Sequence, residues 1–365
     1  MLKKPITIHD IAEMAKVSPA TVSRVLSNSD YPVSKGLQER VRRIAEEVNY
    51  IPNMLGKQLK KNESTTIGVI IPSIVNPFYS FVIFGIEEVA RANHHTVIIC
   101  NSLQDPELEE EYIRTIMEQQ VKGLIISSIS EDRTLLRNCI DLGLNVVAID
   151  QALEEENVCQ VKFDHRKGGY IGAKHLIEQG HRQIAYLTSK LDRPSRKNIY
   201  RGYVDAMQEA KLEPILAESD EQRSDADTYD FDTGRKLVSK ILTSGEQPTA
   251  IFACNDMMAF GVINELSSQG INVPDDISVV GFDGIDFGMM LHPPLTTVKQ
   301  PDYDMGKLAG KLLFDKLKGE DAPFYDVVLQ PSLIESRSVR NLTAINTLEC
   351  ARWAMATDDR SMRLQ

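Results

Sequence analysis

The sequence predicts an all-α head followed by an α/β body made of two doubly wound lobes. Two patterns indicate this. Apolar residues before Tyr50 recur at helical spacing, whereas from Thr66 onward short continuous apolar runs alternate with helical patterns. The length of 365 residues suits two or three domains, and a composition of 42% hydrophobic and 25% charged residues is enough for globular cores.

Net charge is divided unevenly along the chain. Residues 1–62 contain eleven Lys/Arg and six Asp/Glu and carry +5, while the whole chain carries −11, so the residues after 62 carry −16. A basic head on an acidic body is typical of a protein that contacts phosphate at one end only.

The head has the pattern of three short helices. Thr7 is a helix cap with Asp10 as its partner, and Ser18-Pro19 gives a second start signal. The third helix begins after Ser34. The expected buried faces are, in order, Ile8, Ile11, Ala12 and Ala15; Val22, Val25 and Leu26; and Leu37, Val41, Ile44 and Val48. Two short helices joined by a tight turn and braced by a third form a helix-turn-helix.

A helix-turn-helix predicts DNA binding, because the start of its second helix enters the major groove and free helix N–H groups suit phosphate oxygens. Pro19 and Ala20 offer only apolar contacts, so we expect modest base reading from that pair. The alternative is a three-helix cap without a DNA role. The candidate contacts in this part of the chain are Thr7, Ser18, Pro19, Ala20, Thr21, Ser23 and Arg24.

The head resembles the lactose/galactose-repressor family of bacterial transcription regulators. The resemblance lies in residues 7–26, TIHDIAEMAKVSPATVSRVL, and in residues 49–53, NYIPN, and it continues to about Val339. Lys16 stands where many members have glycine. The resemblance implies a DNA-binding domain at 1–51, a hinge at 52–65, and a bilobal effector-binding and dimerisation domain at 66–340 that is similar to periplasmic sugar-binding proteins.

The hinge is expected to be marginal as a helix. Pro52-Asn53 stops the preceding helix, and the following residues have room for only about two turns. Gly56, where the family usually has alanine, weakens a helix by about 1 kcal/mol. By resemblance, this segment folds on DNA, pairs with its dimer mate and inserts a leucine into the minor groove. The candidate contacts are Asn53, Lys57 and Leu59, with Leu59 matching that leucine.

The body contains two series of apolar runs, which are typical of parallel sheets covered by helices on both faces. The first series ends with Val146–Asp150, the second begins at Val158–Phe163, and the chain is expected to cross back near Pro293–Thr297. These positions predict a first lobe at about 66–161 and 293–323 and a second lobe at about 162–292 and 324–340.

Ligands of such folds bind between the lobes, at the carboxyl ends of the strands. Carboxylates and carboxamides that converge there favour a polyol, although each alone is as often a helix cap. The candidates are Asn76, Phe78, Tyr79, Ser127, Asp150, Asn255 and Asp283. By resemblance, Tyr229 is an aromatic wall of the same cleft.

Ile199 departs from the family pattern, because many relatives have arginine three residues before the glycine that here is Gly202. Isoleucine cannot bind hydroxyls or carboxylates bidentately, so Arg193, Arg196 or Arg201 would have to substitute. A second interpretation, in which a phosphorylated carrier protein is the corepressor, gains from this substitution. We favour a small molecule, a sugar or sugar derivative, because the other polar positions are retained.

The sequence does not support an enzyme active site, a cofactor site or a metal site. Gly168, Gly169 and Gly172 have the wrong spacing for a nucleotide loop and are expected to let a helix pack closely on a sheet. Neither Gly-x-Ser-x-Gly nor His-Glu-x-x-His occurs, and the histidines lack metal-spaced partners. Five dispersed cysteines indicate reduced thiols. No apolar run approaches the ~18 residues of a membrane span, and a signal peptide is not indicated.

The sequence therefore predicts a cytoplasmic, homodimeric repressor that binds a pseudo-palindromic operator and is gated by an effector, without a cofactor. Whether the effector releases or promotes DNA binding stays open. A periplasmic sugar receptor would share the body but not the basic head, and an enzyme acting on a sugar is a more distant alternative. The tail at 341–365 fits an oligomer or partner contact, or a poorly ordered end, which we favour.

Overall fold

A computed structural model describes residues 6–26, 32–48, 50, 65–151, 153, 158–219, 229–319 and 324–343. The chain divides between residues 64 and 65 into two compact units, a head and a body. The predicted hinge contacts Asn53, Lys57 and Leu59 lie outside the described residues, as does the tail beyond Thr343.

The head consists of α1 (Ile8–Ala15), α2 (Pro19–Leu26) and α3 (Lys35–Glu47). Six predicted residues form its buried core, Ile11, Ala12, Ala15, Val22, Val25 and Val41, together with Ala45, which was not predicted. The other predicted residues, Ile8, Leu26, Leu37, Ile44 and Val48, are partly buried against it. Lys16 makes the turn between α1 and α2 with φ of 55°, a left-handed conformation that glycine adopts without strain.

The body contains two six-stranded sheets among its described residues. The strands are β1 (Thr66–Ile71), β2 (Thr96–Asn101), β3 (Gly123–Ile126), β4 (Asn145–Asp150), β5 (Cys159–Phe163), β6 (Ile184–Thr188), β7 (Ile215–Glu218), β8 (Ala250–Ala253), β9 (Ser278–Asp283), β10 (Thr296–Lys299), β11 (Asp326–Leu329) and β12 (Ser332–Ile334). The first sheet has the order β11-β5-β4-β3-β1-β2 and the second β12-β10-β9-β8-β6-β7. All pairs are parallel except β10–β12.

Helices cover both sheets. They are α4 (Pro77–Ala92), α5 (Pro106–Glu118), α6 (Thr134–Asp141), α7 (His165–Glu178), α8 (Pro194–Glu209), α9 (Tyr229–Thr243), α10 (Asp256–Ser268) and α11 (Asp302–Leu317), with a 3-10 turn at Asp286–Met290. In lobe one, α4 packs against α11 and α5 against α6. In lobe two, α7 packs against α8 and α9 against α10. These layers bury the continuous apolar strands on both sides.

The chain changes lobes later than the sequence predicted. β5 pairs with β4, Cys159 opposite Val147, so the prediction that a second series begins at Val158 is wrong. β10 pairs with β9, so the crossing near Pro293 is wrong as well, and β11 returns to the first sheet rather than the second. A strand buried on both faces has the same apolar pattern in either sheet, so the pattern alone does not assign it.

Glycines set the distance between α7 and its neighbours, as predicted. A Cβ on Gly168 or Gly172 would collide with the ring of Phe282 or Phe252 in the second sheet. On the other side of α7, a Cβ on Gly169 would meet the backbone carbonyl of Ile199, and one on Gly202 that of Arg166. This close approach fixes the starts of α7 and α8 beside each other.

We expect Gly202→Ala to lower the free energy of unfolding of the body by about 1–3 kcal/mol, because the added methyl meets backbone that cannot rotate away. Thermal and denaturant unfolding of the full chain would measure the loss. Gly36→Ala is the control, since nothing lies within 4 Å of its Cβ position. Equal stability of Gly202→Ala and the wild type would contradict the packing described above.

Candidate functional site

The start of α2 presents the small and polar residues that the sequence selected. Ser18 Oγ accepts a hydrogen bond from Thr21 N at 3.2 Å and lies 2.9 Å from Thr21 Oγ1, so it caps α2. Ser18, Ala20, Ser23 and Arg24 are exposed, whereas Val22 and Val25 point into the head core. Exposed polar groups around a helix start, on a basic unit, form a surface that fits a DNA groove.

Thr7 has a structural role at the start of α1. Its backbone N and its Oγ1 both donate to Asp10 Oδ2, at 2.6 and 2.7 Å. The predicted partnership with Asp10 is therefore present, with the carboxylate as the acceptor. Thr7 itself is exposed, so DNA contact by this residue stays a prediction.

Asp150 is the centre of a buried polar network between the lobes. It ends β4 and accepts hydrogen bonds from Tyr79 Oη (2.9 Å), Gln151 Nε2 (2.8 Å) and, more weakly, Ser127 Oγ (3.4 Å). His165 Nε2, at the start of α7 in lobe two, lies 3.0 Å from Asp150 Oδ1. Burial raises the pKa of Asp150, but the bonds and charge of its partners outweigh burial and lower the pKa below its ordinary value.

Asp283 faces this network from the end of β9 in lobe two. Its Oδ2 accepts from Asn76 Nδ2 at 3.2 Å, which joins the lobes, and its Oδ1 accepts from Gln300 Nε2 at 2.7 Å. Burial, followed by the nearby carboxylate of Asp256, raises the pKa of Asp283 well above its ordinary value. The cleft thus combines two buried carboxyl groups whose pKa values are shifted in opposite directions, lowered at Asp150 and raised at Asp283, and both can bind hydroxyls.

Both carboxylates have left-handed backbones, with φ of 61° at Asp150 and 112° at Asp283. Such conformations cost about 1–3 kcal/mol at a non-glycine residue and concentrate at functional sites. Asp256 holds the second of these turns, because its Oδ2 accepts from Ile285 N at 2.8 Å and its Oδ1 from Thr297 Oγ1 at 2.6 Å. Burial raises the pKa of Asp256 to about 7.

A second polar cluster lies at the starts of α8, α9 and α10. Asn255, a predicted effector residue, caps α10 through Met258 N and donates from Nδ2 to Asp230 Oδ2 at 2.8 Å. Asp230 also contacts Ser189 Oγ at 2.8 Å and Arg196 Nη2 at 3.4 Å. Burial raises the pKa of Asp230, but the charges of Arg196 and Arg193 outweigh it and lower the pKa.

Ile199 is buried, whereas Arg196, one turn earlier on α8, contacts Asp230, and Arg193 also reaches the cleft. Arg201 is exposed, and its Nη1 donates to Asn198 Oδ1 at 3.3 Å. Phe78 is only 2% exposed and packs edge-on against Tyr79, so it has no open face for stacking on a sugar. Tyr229 opens α9, but its side chain lies outside the described residues.

A cavity of about 450 Å³ opens between the lobes beside this cluster. Its walls come from the start of α5 and the segment after β3 in lobe one, and from the segment before α8 in lobe two. Charged residues dominate the lining: Glu107, Glu110, Glu131, Asp132, Asp192 and Arg193.

Sequence reasoning missed several residues that complete the site. His165, Gln151 and Gln300 bind the predicted carboxylates, and Asp230 and Asp256 hold the second cluster and the Asp283 turn. Gln151 and Asp256 directly follow predicted residues, which is the signal that could have found them. His165 and Asp230 meet their partners only through the tertiary fold.

Within the described part of the chain, no group of three or more His, Cys, Asp or Glu side chains could hold a metal ion. In the same part, every helix is too short or too polar to cross a membrane. The four described cysteines, Cys100, Cys139, Cys159 and Cys254, are buried free thiols.

The head and the body each match a known protein family. Residues 7–53 match the bacterial regulatory proteins of the lacI family, and residues 173–339 match the periplasmic binding protein-like domain. The chain is 33% identical to the ribose operon repressor of Haemophilus influenzae over 339 residues, which are 92% of this chain and 99% of that protein. It is 34% identical to the HTH-type transcriptional repressor PurR of Vibrio atlanticus over 340 residues, again 92% and 99% of the two chains.

Solved structures of related proteins have a similar fold. The lac repressor dimer bound to operator and the anti-inducer ONPF is 28% identical, with a TM-score of 0.78 over 92% of this chain and 100% of that one. A lacI-family regulator from Enterococcus faecium with bound ribose is 28% identical, with a TM-score of 0.68 over 76% of this chain and 99% of that one.

A helix-turn-helix head joined to a two-lobed ligand-binding body defines a DNA-binding transcriptional regulator. The protein belongs to the lacI family of bacterial regulatory proteins.

Asp256 makes the stability of the body pH-dependent. Because its pKa is raised to about 7 in the folded state, from an ordinary 3.8, its contribution is fully present below about pH 4 and is lost as pH rises through 7. We therefore expect the free energy of unfolding of the wild type, relative to Asp256→Asn, to fall between about pH 4 and 7 and to level off above that range. Asp205→Asn is the control, since the Arg166 hydrogen bond lowers the pKa of Asp205 below that range. A pH-independent difference for Asp256→Asn would refute the assignment.

Proposed function

We propose that this regulator is a repressor that binds a pseudo-palindromic operator as a homodimer in the bacterial cytoplasm, and that a carbohydrate-class effector in the interlobe cleft sets its DNA affinity. The convergence of Asp150 and Asp283 carries the proposal. Two buried carboxylates from different sheets, each on a strained backbone, meet at the strand ends where such folds bind ligands. The ribose-bound relative supports a sugar or sugar derivative as the ligand class.

The cross-lobe hydrogen bonds give the effector a way to act. Asn76–Asp283 and Asp150–His165 join the lobes, as does Gln151, which donates from Nε2 to Ser195 Oγ at 2.7 Å and accepts from Ser195 N at 3.2 Å. A ligand that replaces some of these bonds changes the relative stability of the lobe arrangements. Only such a difference in affinity shifts DNA binding, typically by 5–150-fold, about 1–3 kcal/mol.

The dimer contact is proposed on one face of lobe one. β2 is an edge strand next to α4, and both carry large exposed apolar side chains, Phe84 on α4 and Ile99 on β2. Leu103 follows β2 and is 55% exposed. An exposed apolar face beside a sheet edge indicates a protein interface, and the lac repressor structure is a dimer.

The test is a fluorescence-anisotropy titration at fixed salt, because nonspecific affinity depends on salt. The full chain is titrated with a labelled pseudo-palindrome that has a central C-G step and with its scrambled version, each with and without a panel of sugars, sugar phosphates and nucleobases. The proposal is supported if the protein prefers the palindrome and one carbohydrate changes that preference. An increase in operator affinity indicates corepression, and a decrease indicates induction. If no compound changes the preference for the palindrome but a phosphorylated carrier protein does, the proposal of a small-molecule effector would be overturned.

Leu59→Ala should weaken binding to the palindrome much more than binding to the scrambled duplex, since a leucine wedge acts only in the kinked complex. The titration above measures both affinities. Leu142→Ala is the matched control, because Leu142 is 74% exposed in the body. Equal losses on the two duplexes would count against a wedge at Leu59.

Asp150→Asn should reduce the effector response of DNA binding at least about tenfold while leaving the melting temperature of the head unchanged. The substitution removes the charge that His165, Tyr79 and Gln151 surround, and charged hydrogen bonds are worth about 1.5–3 kcal/mol each. Asp205→Asn removes an exposed carboxylate of the body and should leave the response intact. An unaltered effector dose response in Asp150→Asn would place the ligand elsewhere.

A further inference from the structure

Resting on the proposed function, we propose that the interlobe cleft accepts an uncharged polyol and rejects its phosphorylated or carboxylated derivatives, with Asp230 as the residue that determines this specificity. The buried guanidinium of Arg196 faces carboxylates of this chain, three helix starts at the cleft are capped by side chains, and the cavity beside the cluster is lined mostly by carboxylates.

Arg196 is the buried cation beside Asp230. It is 4% exposed, and its Nη2 lies 3.4 Å from Asp230 Oδ1 while its Nη1 lies 3.9 Å from Asp192 Oδ1. Asp230 is itself fixed by Ser189 and Asn255. A guanidinium that is buried beside a fixed carboxylate contributes little net attraction to a ligand anion, because the carboxylate repels the same anion.

Three helix starts at the cleft, which would otherwise suit an anion, are capped by side chains. Asn76 Oδ1 accepts from Phe78 N of α4 at 3.0 Å, and Asn255 Oδ1 accepts from Met258 N of α10 at 2.8 Å. At α8, Gln151 Oε1 accepts from Ser195 N at 3.2 Å. An amide oxygen satisfies each N–H without adding charge, so a phosphate would have to displace it.

The cavity between the lobes, beside the Arg196–Asp230 pair, adds a field that opposes anions. Five carboxylates and one guanidinium line it, and Asp192, one of the five, also faces Arg196. A wall of one predominant sign lowers the local concentration of ligands with that sign. An uncharged polyol avoids this repulsion and finds donors and acceptors in Asp150, Asp283 and Asn255.

The experiment compares paired probes by isothermal titration calorimetry with the full chain: ribose, glucose and fructose, each against its monophosphate. We expect at least one sugar to bind the wild type and its phosphate to bind at least about tenfold more weakly, the order expected for one unbalanced nearby charge. Asp230→Asn keeps the shape of the side chain but frees Arg196, so it should strengthen phosphate binding at least about tenfold relative to the sugar. Melting temperature and DNA affinity without sugar check that the variant is folded.

Two further variants isolate the cause. Asp205→Asn removes one carboxylate from an exposed pair with Arg166 and should leave the sugar-to-phosphate ratio unchanged. Adding Arg196→Gln to Asp230→Asn should cancel the gain in phosphate binding, because the freed cation is then absent.

Tighter binding of a phosphate than of its sugar by the wild type would overturn the inference while leaving a carbohydrate effector in place. An unchanged ratio in Asp230→Asn would overturn the role of Asp230. If neither the sugar nor the phosphate of any pair binds, the proposed function itself is overturned, and the inference with it.

Discussion

The buried carboxylate of Asp150 is the group on which the rest of the body depends. A charge that is 94% buried is tolerated only when it is hydrogen-bonded and paired, and here the partners come from both lobes. Tyr79 and Gln151 belong to lobe one, whereas His165 begins α7 of lobe two. Satisfying one charge therefore requires the two sheets to approach, and this requirement creates the cleft.

The remaining features of the cleft follow from that approach. Glycines bring α7 and α8 together so that His165 and Ser195 reach the ends of strands in the other lobe. Asp150 and Asp283 end their strands with left-handed backbones. A ligand that takes over part of the bonds between the lobes would change the relative stability of lobe arrangements. This is a physical basis on which the body can respond to a small molecule.

Local patterns in the sequence were sufficient for the head and for the strand-end residues. The helical spacing of Val22 and Val25 predicts their burial, and the positions of Asp150, Asn255 and Asp283 after apolar runs predict strand ends, where all three side chains lie buried. The sheet that β5 and β10 join could not be predicted, because pairing is nonlocal. The Arg196–Asp230 pair was also out of reach, since its members lie on two helices 34 residues apart and either could have faced solvent.

The most direct test of this account is the distance between the lobes, measured by electron-spin resonance with spin labels at positions 131 and 190, on the two lobes beside the cavity. The account predicts that Asp150→Ala shifts the distances to longer values in the absence of DNA and ligand, because the bonds that join β4 to α7 lose their acceptor. An unchanged distance distribution in that variant would contradict the central role of Asp150 and would assign lobe closure to packing alone.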